Sequence, residues 1–296
     1  ATTPVIAVVA VAGLATSWRR LRLLGLRRWA LAVPFGVFVV CAAPLVLSGN
    51  ATFLGYFVLN DSATHFLLID QALSHATDLS RLGLSSYYST LLTYTQSSYP
   101  LGADVALGAV RGLIGQNVAW IFQPYLAVIM ALNGAAFYQL LEHGVRSVRL
   151  RALSAFIAAQ AGLVFAYYLE ASIKELATAW IITVTVALGF VILRQRLALR
   201  PLLVLLVAVV AGFDVLDVAV APWLGIPVAA FAIALAWRSR HRVRGMARSR
   251  LALGAAATAA ALGVTAAPII GSASNFFTVA NSVLTKPGDL GNLMAP

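Results

Sequence analysis

Charge, sulfur and lysine are scarce in this chain. Only 10% of its 296 residues are Asp, Glu, Lys or Arg, against roughly a quarter in soluble domains, and that shortage excludes an ordinary water-soluble globule. A single cysteine, Cys41, excludes a disulfide within the chain and any metal site built on thiolates. Lysine occurs twice, at positions 174 and 286. Internal repeats and low-complexity linkers are missing as well. What fills the chain is apolar: 61% of residues are hydrophobic and the mean hydropathy is +0.88, the composition of a polytopic membrane protein.

The scarce charges are not scattered. Arginines fall in four clumps: 19, 20, 22, 27 and 28; 146, 149 and 151; 194, 196 and 200; and 238, 240, 242, 244, 248 and 250. These hold seventeen of the twenty-one basic residues, and each clump sits between apolar stretches on one alternating side. The positive-inside rule makes those loops cytoplasmic. Nine of the ten carboxylates fall on the other side, together with Arg81, Arg111, Lys174 and Lys286. A net charge of +11 would ordinarily suggest nucleic acid. Split among short loops, the basic residues instead meet anionic lipid headgroups, and no nucleic-acid partner is expected.

About 20 apolar residues cross the hydrocarbon core, and on that ruler the spans are 3–18, 29–47, 120–141, 152–168, 176–193, 202–221 with 223–237 as its return, and 251–270. The fold class is therefore all-α: a polytopic integral membrane helical bundle of seven to eight spans, one transmembrane domain over 1–296. The first span is short and starts at Ala1 without an initiating Met, so residues upstream are expected. A signal peptide would carry its positive charge before the apolar run, and here the charge follows. Trp18, Trp29, Trp120 and Trp237 lie at span ends, as an aromatic belt requires.

One outward connection is long. Residues 48–117 run some seventy residues between spans, too many for a tight loop and too apolar for a disordered tail. Asn60 or Asp61 can cap a helix there, and that helix puts Asp61 and His65 one turn apart on one face, continued by Ile69 and Ala72, with Asp70 opposite and solvated. Its run of Phe66, Leu67, Leu68, Ile69 and Leu73 lays it along the membrane interface. Further on, Tyr87, Tyr88, Tyr94, Ser97, Ser98 and Tyr99 supply hydroxyls and ring faces of the kind a sugar-binding surface uses, with Pro100 and Gly102 marking a turn that presents Tyr99. Plain interfacial anchoring is the competing reading of those tyrosines.

Two further segments stand out. In the short connection 167–175, Glu170 and Lys174 are at helical i, i+4 spacing with Glu175 beside them; Lys174 is a phosphate candidate, as is Arg111 at the end of the long loop, and a solvated ion pair is the bland alternative. Asp214 and Asp217 sit near the outward end of an apolar span, a depth at which carboxylates are costly unless they face a cavity or partner. One Asp and one His supply at most two ligands, so no metal site is indicated, and no cofactor.

An early span, then a large outward loop opening with Asn60-Asp61-Ser62-Ala63-Thr64-His65 and a later Tyr99-Pro100-Leu101-Gly102, resembles the GT-C fold of membrane glycosyltransferases that use polyprenyl-phosphate sugars. Ser172-Ile173-Lys174-Glu175-Leu176 and 288–293 look like segments of such proteins from high-GC bacteria, and an arginine-to-lysine ratio of nineteen to two is compatible with that source. The resemblance covers most of the chain in topology and about thirty residues in motif. It implies that Asp61 is the essential acid of the first outward loop and that His65 is a neighbouring polar position. Family members carry more spans and often a soluble outward domain, so the resemblance also implies the amino-terminal portion of a longer protein, or a reduced relative.

The chemistry fits an acid at that place. Sugar transfer from a polyprenyl phosphate needs a base for the acceptor hydroxyl and cationic help for the departing phosphate. Asp61 is the expected base, with a helix cap as its structural alternative. Lys174 and Arg111 are the expected donor-phosphate contacts, and His65, Tyr99, Glu170, Glu175, Asp214 and Asp217 the expected substrate contacts. The expected partners are the lipid bilayer, the polyprenyl-phosphate-sugar donor and a cell-envelope glycan or lipid acceptor. The expected location is the bacterial plasma membrane, active face outward. A transporter or flippase built on Asp214 and Asp217, and a non-catalytic subunit held by a larger membrane protein, are the rival readings.

Overall fold

The computed structural model describes residues 8, 11, 12, 15, 28–49, 60–75, 78–96, 99–194 and 199–244. The expected span at 3–18 lies outside them apart from four positions. The expected span at 251–270 lies outside them entirely, as do Lys286 and the 288–293 segment.

Every regular element among the described residues is helical. In chain order they are α1 (Arg28–Leu47), α2 (Asn60–Ser74), α3 (Ser86–Gln96), α4 (Gly102–Ile114), α5 (Val118–Leu141), α6 (Val148–Ala158), α7 (Gly162–Leu169), α8 (Ile173–Arg194) and α9 (Leu199–Leu216). A 3₁₀ turn, Asp217–Val220, then leads into α10 (Ala221–Arg244). Within these, four stretches are long and apolar enough to cross a membrane: Arg28–Leu47, Val118–Leu141, Ile173–Arg194 and Pro201–Leu235. The bent pair α6–α7 makes five. The chain is thus a multi-pass membrane protein. The expected span 152–168 begins earlier than its apolar run and is not continuous: α6 and α7 meet at a bend of 50°. The break has a local cause. Gln160 turns its side-chain amide back onto the Phe156 carbonyl at 3.0 Å, satisfying an acceptor that a continuing helix would have used.

The stretch Pro201–Leu235 reverses within itself. Asp217 takes a left-handed φ of 52°, and beyond it Leu224 returns to Gly212, where an added Cβ would lie 2.5 Å from its side chain. Twelve residues of straight helix would separate those positions by about 18 Å. Both arms pack on α8: Ile181 lies by Gly212 of α9, and Phe231 of α10 rests against Gly189. Glycine is used here for close approach, the way apolar-medium helices gain contact area without a hydrophobic drive between them. The pairing of α1 with α5 works likewise, Gly134 facing Val33 and Val37.

At the level where α1, α5 and α7 meet, two polar groups bridge helices. Tyr168 is fully buried. Its hydroxyl donates to the Cys41 carbonyl at 2.8 Å, a residue three before Pro44, while its own carbonyl accepts from Gln123 Nε2 at 3.4 Å.

The described arginines of three clumps gather at one end. Arg194 donates to the His143 carbonyl at 3.3 Å, Arg238 to the Leu193 carbonyl, and Arg151 to the Val145 carbonyl at 3.2 Å and to Glu142 at 3.4 Å. Described elements of the 48–117 connection lie at the opposite end and pack on the bundle: Phe66 of α2 meets Phe122 of α5 edge to face at 5.1 Å. Ile69 and Leu73 of α2 close over Gly108 of α4.

Gly102 opens α4 rather than presenting Tyr99 on a turn. A Cβ there would run into the Asp214 carbonyl and come within 2.8 Å of the Asp214 side chain. Gly102→Ala should therefore push α4 off α9 and cost about 1–3 kcal/mol, lowering the melting temperature in detergent. Gly134→Ala, whose Cβ meets valine methyls at 3.1 and 3.4 Å and the Ala159 Cβ at an ordinary 3.5 Å, should lower it clearly less; equal losses would show that the α4–α9 contact is not a backbone constraint.

Candidate functional site

The carboxylate-rich end is built from α2, α4 and the adjoining tips of α8 and α9. Helix α2 begins at Asn60, so Asn60 and Asp61 lie within its first turn rather than ahead of it as caps. The backbone of Asp61 is placed there; its side chain lies outside the described residues. One face of α2 turns inward: Ser62, His65, Leu68, Ile69 and Gln71 are all buried. Asp70 is on the outer face as its position nine residues after Asp61 requires, and it meets Arg111 at 3.4 Å, both side chains substantially exposed.

The partner of His65 is not a neighbour on its own helix. His65 Nδ1 lies 2.7 Å from Asp104 Oδ1, across from α4, and Asp104 has no exposed surface at all. Asp104 lies on the inward stripe of α4 with Ala103, Leu107 and Gly108. The helix closes on Gly115, which at φ 72° returns its N–H to the Arg111 carbonyl. A carboxylate in the first turn also sits at the favourable pole of the helix dipole. With Nδ1–H donating to the carboxylate, Nε2 of His65 is left as an acceptor, the tautomer a basic imidazole needs. The second oxygen, Asp104 Oδ2, and Ser62 Oγ are both buried with no hydrogen-bond partner among the described residues. Two orphaned oxygens on the helices that carry this pair leave hydrogen-bonding capacity unused within an apolar contact.

Asp104 was legible only in part. A carboxylate on the apolar stripe of a short helix, one turn before Leu107 and Gly108, is the signal, yet nothing in the spacing of α2 names a partner thirty-nine residues on.

Lys174 and Tyr99 are brought together. The Lys174 ammonium stands 3.4 Å from the centre of the Tyr99 ring, and Tyr94 meets that ring edge to face at 4.8 Å. One face of Tyr99 is thus covered by a cation. Glu170 and Lys174 do not share a helical turn, contrary to their spacing: Glu170 ends α7, Ala171 takes φ 61°, and α8 starts at Ile173. Glu170 is exposed and Glu175 half-buried at the start of α8. Asp214 is exposed near the end of α9, its backbone against Gly102, and Asp217 forms the reversal. On the connection after α2, hydrogen bonds from Ser80 hold the Asp78 carboxyl below its ordinary range. No three His, Cys, Asp or Glu side chains converge as a metal cluster among the described residues.

No protein-family model, no curated protein and no solved structure matches this chain. The site has to be read from its own geometry. Removing one member of a buried hydrogen-bonded pair leaves the other's polar group unsatisfied, at about 1–3 kcal/mol, whereas replacing both with apolar residues can be nearly neutral. Asp104→Ala should accordingly destabilise the protein strongly and His65→Leu/Asp104→Leu much less, read by thermal unfolding in detergent. A double variant as damaged as the single would mean that the two side chains are not coupled.

Proposed function

We propose that this protein is a membrane glycosyltransferase of the GT-C kind, moving a sugar from a polyprenyl-phosphate donor to a cell-envelope glycan or lipid at its carboxylate-rich, non-cytoplasmic face. The observation that carries the reading is the junction of α2, which holds Asp61 and His65, with α4 and the tip of α8. There a buried acid–imidazole pair and an ammonium on an aromatic ring lie at one end of a membrane bundle. In the transfer, the acceptor hydroxyl attacks the anomeric carbon, its proton goes to the base, and the bond from that carbon to the phosphate oxygen breaks. Asp61 is the proposed base. His65, oriented by Asp104, is the group next to it that can pass the proton on. Lys174 is the cation for the leaving polyprenyl phosphate, whose charge rises as the bond breaks. Arg111, held by Asp70 at the surface, is the outer contact for the same phosphate. Glu170, Glu175, Asp214 and Tyr99 are the proposed sugar and acceptor contacts.

Membranes carrying Asp61→Asn and supplied with labelled polyprenyl-phosphate sugar should contain folded, inserted protein and lose transfer by about 10²–10⁴-fold, the usual weight of a general base. Full transfer by that variant would remove Asp61 from the chemistry.

A second reading, a transporter or flippase for an envelope precursor, is favoured by one observation. Thr178 and Thr185 of α8 are buried with hydroxyls that have no partner among the described residues. They lie four and eleven residues after Lys174, on the stripe that includes Ile181 and faces the α9–α10 reversal. Partnerless polar groups inside a span are where a hydrated path would run. Uptake into proteoliposomes that survives Asp61→Asn and is lost in Asp217→Asn and Thr178→Val/Thr185→Val would establish transport; absence of uptake with intact transfer would dismiss it.

A further inference from the structure

The arginine-rich end holds a cleft that neither reading uses. Arg28 and Trp29 at the start of α1 and Ser147, Val148 and Arg149 at the start of α6 line an open cavity of about 640 Å³. Two guanidiniums from separate segments thus face one space. Like charges gathered in this way repel unless an anion lies between them. The chain has only one carboxylate in its arginine-bearing loops, Glu142, and it is engaged by Arg151 at 3.4 Å and by Gln139 at 2.9 Å.

Three other described arginines at this end, Arg151, Arg194 and Arg238, are already engaged. Arg151 also donates to the Val145 carbonyl and lies over the Tyr138 ring at 5.3 Å; Arg194 and Arg238 donate to backbone carbonyls. Arg28 lies 5.8 Å from the Trp29 ring, and neither it nor Arg149 meets a carboxylate among the described residues. Ser147 is occupied too, its hydroxyl accepting from Leu150 N at 3.4 Å. No described residue supplies the counter-anion.

Its chemical class follows from the surroundings. The guanidinium fork matches a phosphate or carboxylate. Trp29 places the cleft at the level where amphipathic rings sit, at the headgroups. Within the next two turns the same two helices expose Leu31 and Phe35, and Leu150, Leu153 and Ile157, surface suited to acyl chains rather than water. We propose that this cleft seats the phosphate of an anionic membrane phospholipid between Arg28 and Arg149, with the acyl chains along α1 and α6. The assignment is independent of the activity at the other end.

Native mass spectrometry of the full chain in nanodiscs of phosphatidylcholine with graded phosphatidylglycerol tests it. The wild type should retain phosphatidylglycerol through activation that strips phosphatidylcholine, and Arg28→Gln/Arg149→Gln should weaken that retention about tenfold or more, given the strength of charge-assisted hydrogen bonds. Arg146→Gln/Arg194→Gln removes the same charge from the same end and should leave retention unchanged. Should the first pair impair folding, Arg28→Lys/Arg149→Lys keeps the charge without the fork and should still bind measurably more weakly than wild type. Equal losses in the two glutamine pairs, or no loss in the first, would overturn the site. Displacement of the lipid by millimolar inorganic phosphate would overturn the lipid as its occupant.

Discussion

A carboxylate with no exposed surface has to be accounted for before anything else in this fold, and Asp104 is that group. Burying it costs several kcal/mol after relaxation, and the return from His65 at 2.7 Å rarely exceeds what a pair of leucines would give in the same space. Ile69 and Leu73 closing over Gly108 already hold α2 to α4 with apolar contact. The charged pair is therefore not the adhesive. What it does fix is register: one oxygen and one ring nitrogen can meet in a single placement of the two helices, whereas leucines slide. Because α4 is pinned in turn by the Gly102 backbone against Asp214, the pair sets where α2 stands relative to α8 and α9. The positions of Asp61 and His65 relative to the other candidate groups depend on it.

The bundle beneath supplies a rigid base by the means open to helices in lipid. Hydrophobic burial does not draw spans together where the solvent is as apolar as the side chains, so close approach and internal hydrogen bonds carry the packing. Gly134 against Val33 and Val37, Gly189 against Phe231 and Gly212 against Leu224 are the close approaches. The bonds of Tyr168 to Cys41 and of Gln123 to Tyr168 link α1, α5 and α7 at one level. The left-handed Ala171 that follows Tyr168 then redirects the chain. That redirection separates Glu170 from Lys174 and turns the lysine toward Tyr99. A bond inside the bundle and a site at its edge are thus joined through three residues of backbone.

How much of this could be read from residues alone divides along a physical line. Apolar runs and arginine clumps are local properties, and they sufficed for the multi-pass helical character and for the reversal after 202–221. The inward face of α2 was also legible, since His65 and Ile69 repeat at helical spacing. What the pattern misreads is local geometry that a side chain or backbone angle decides: Gln160 bonding to Phe156, which breaks 152–168, and Ala171 at φ 61°, which undoes the Glu170–Lys174 spacing. What it cannot reach is contact between segments distant in sequence. Asp104 lies on its own helix with nothing nearby to mark it as more than a first-turn carboxylate. Its significance exists only once α2 is laid across it. Tyr99 was marked for its ring, but the cation covering one face of that ring comes from seventy-five residues away.

Charge segregation gives the two ends different physics. At the arginine-rich end the described arginines outnumber the described carboxylates: Arg151 takes Glu142, Arg194 and Arg238 turn to carbonyls, and Arg28 and Arg149 line the cleft between α1 and α6. At the other end carboxylates exceed cations, and each described cation there with a placed partner is already coupled: Arg111 to Asp70, Lys174 to Tyr99. These two couplings are not equivalent. An exposed ion pair at 3.4 Å is worth less than about 1 kcal/mol and exchanges freely with water. A cation on a ring is held by a quadrupole rather than by an opposite charge. The proposed division of the phosphate between Lys174 and Arg111 therefore joins two unlike cations, one against an aromatic ring and one in an exposed ion pair.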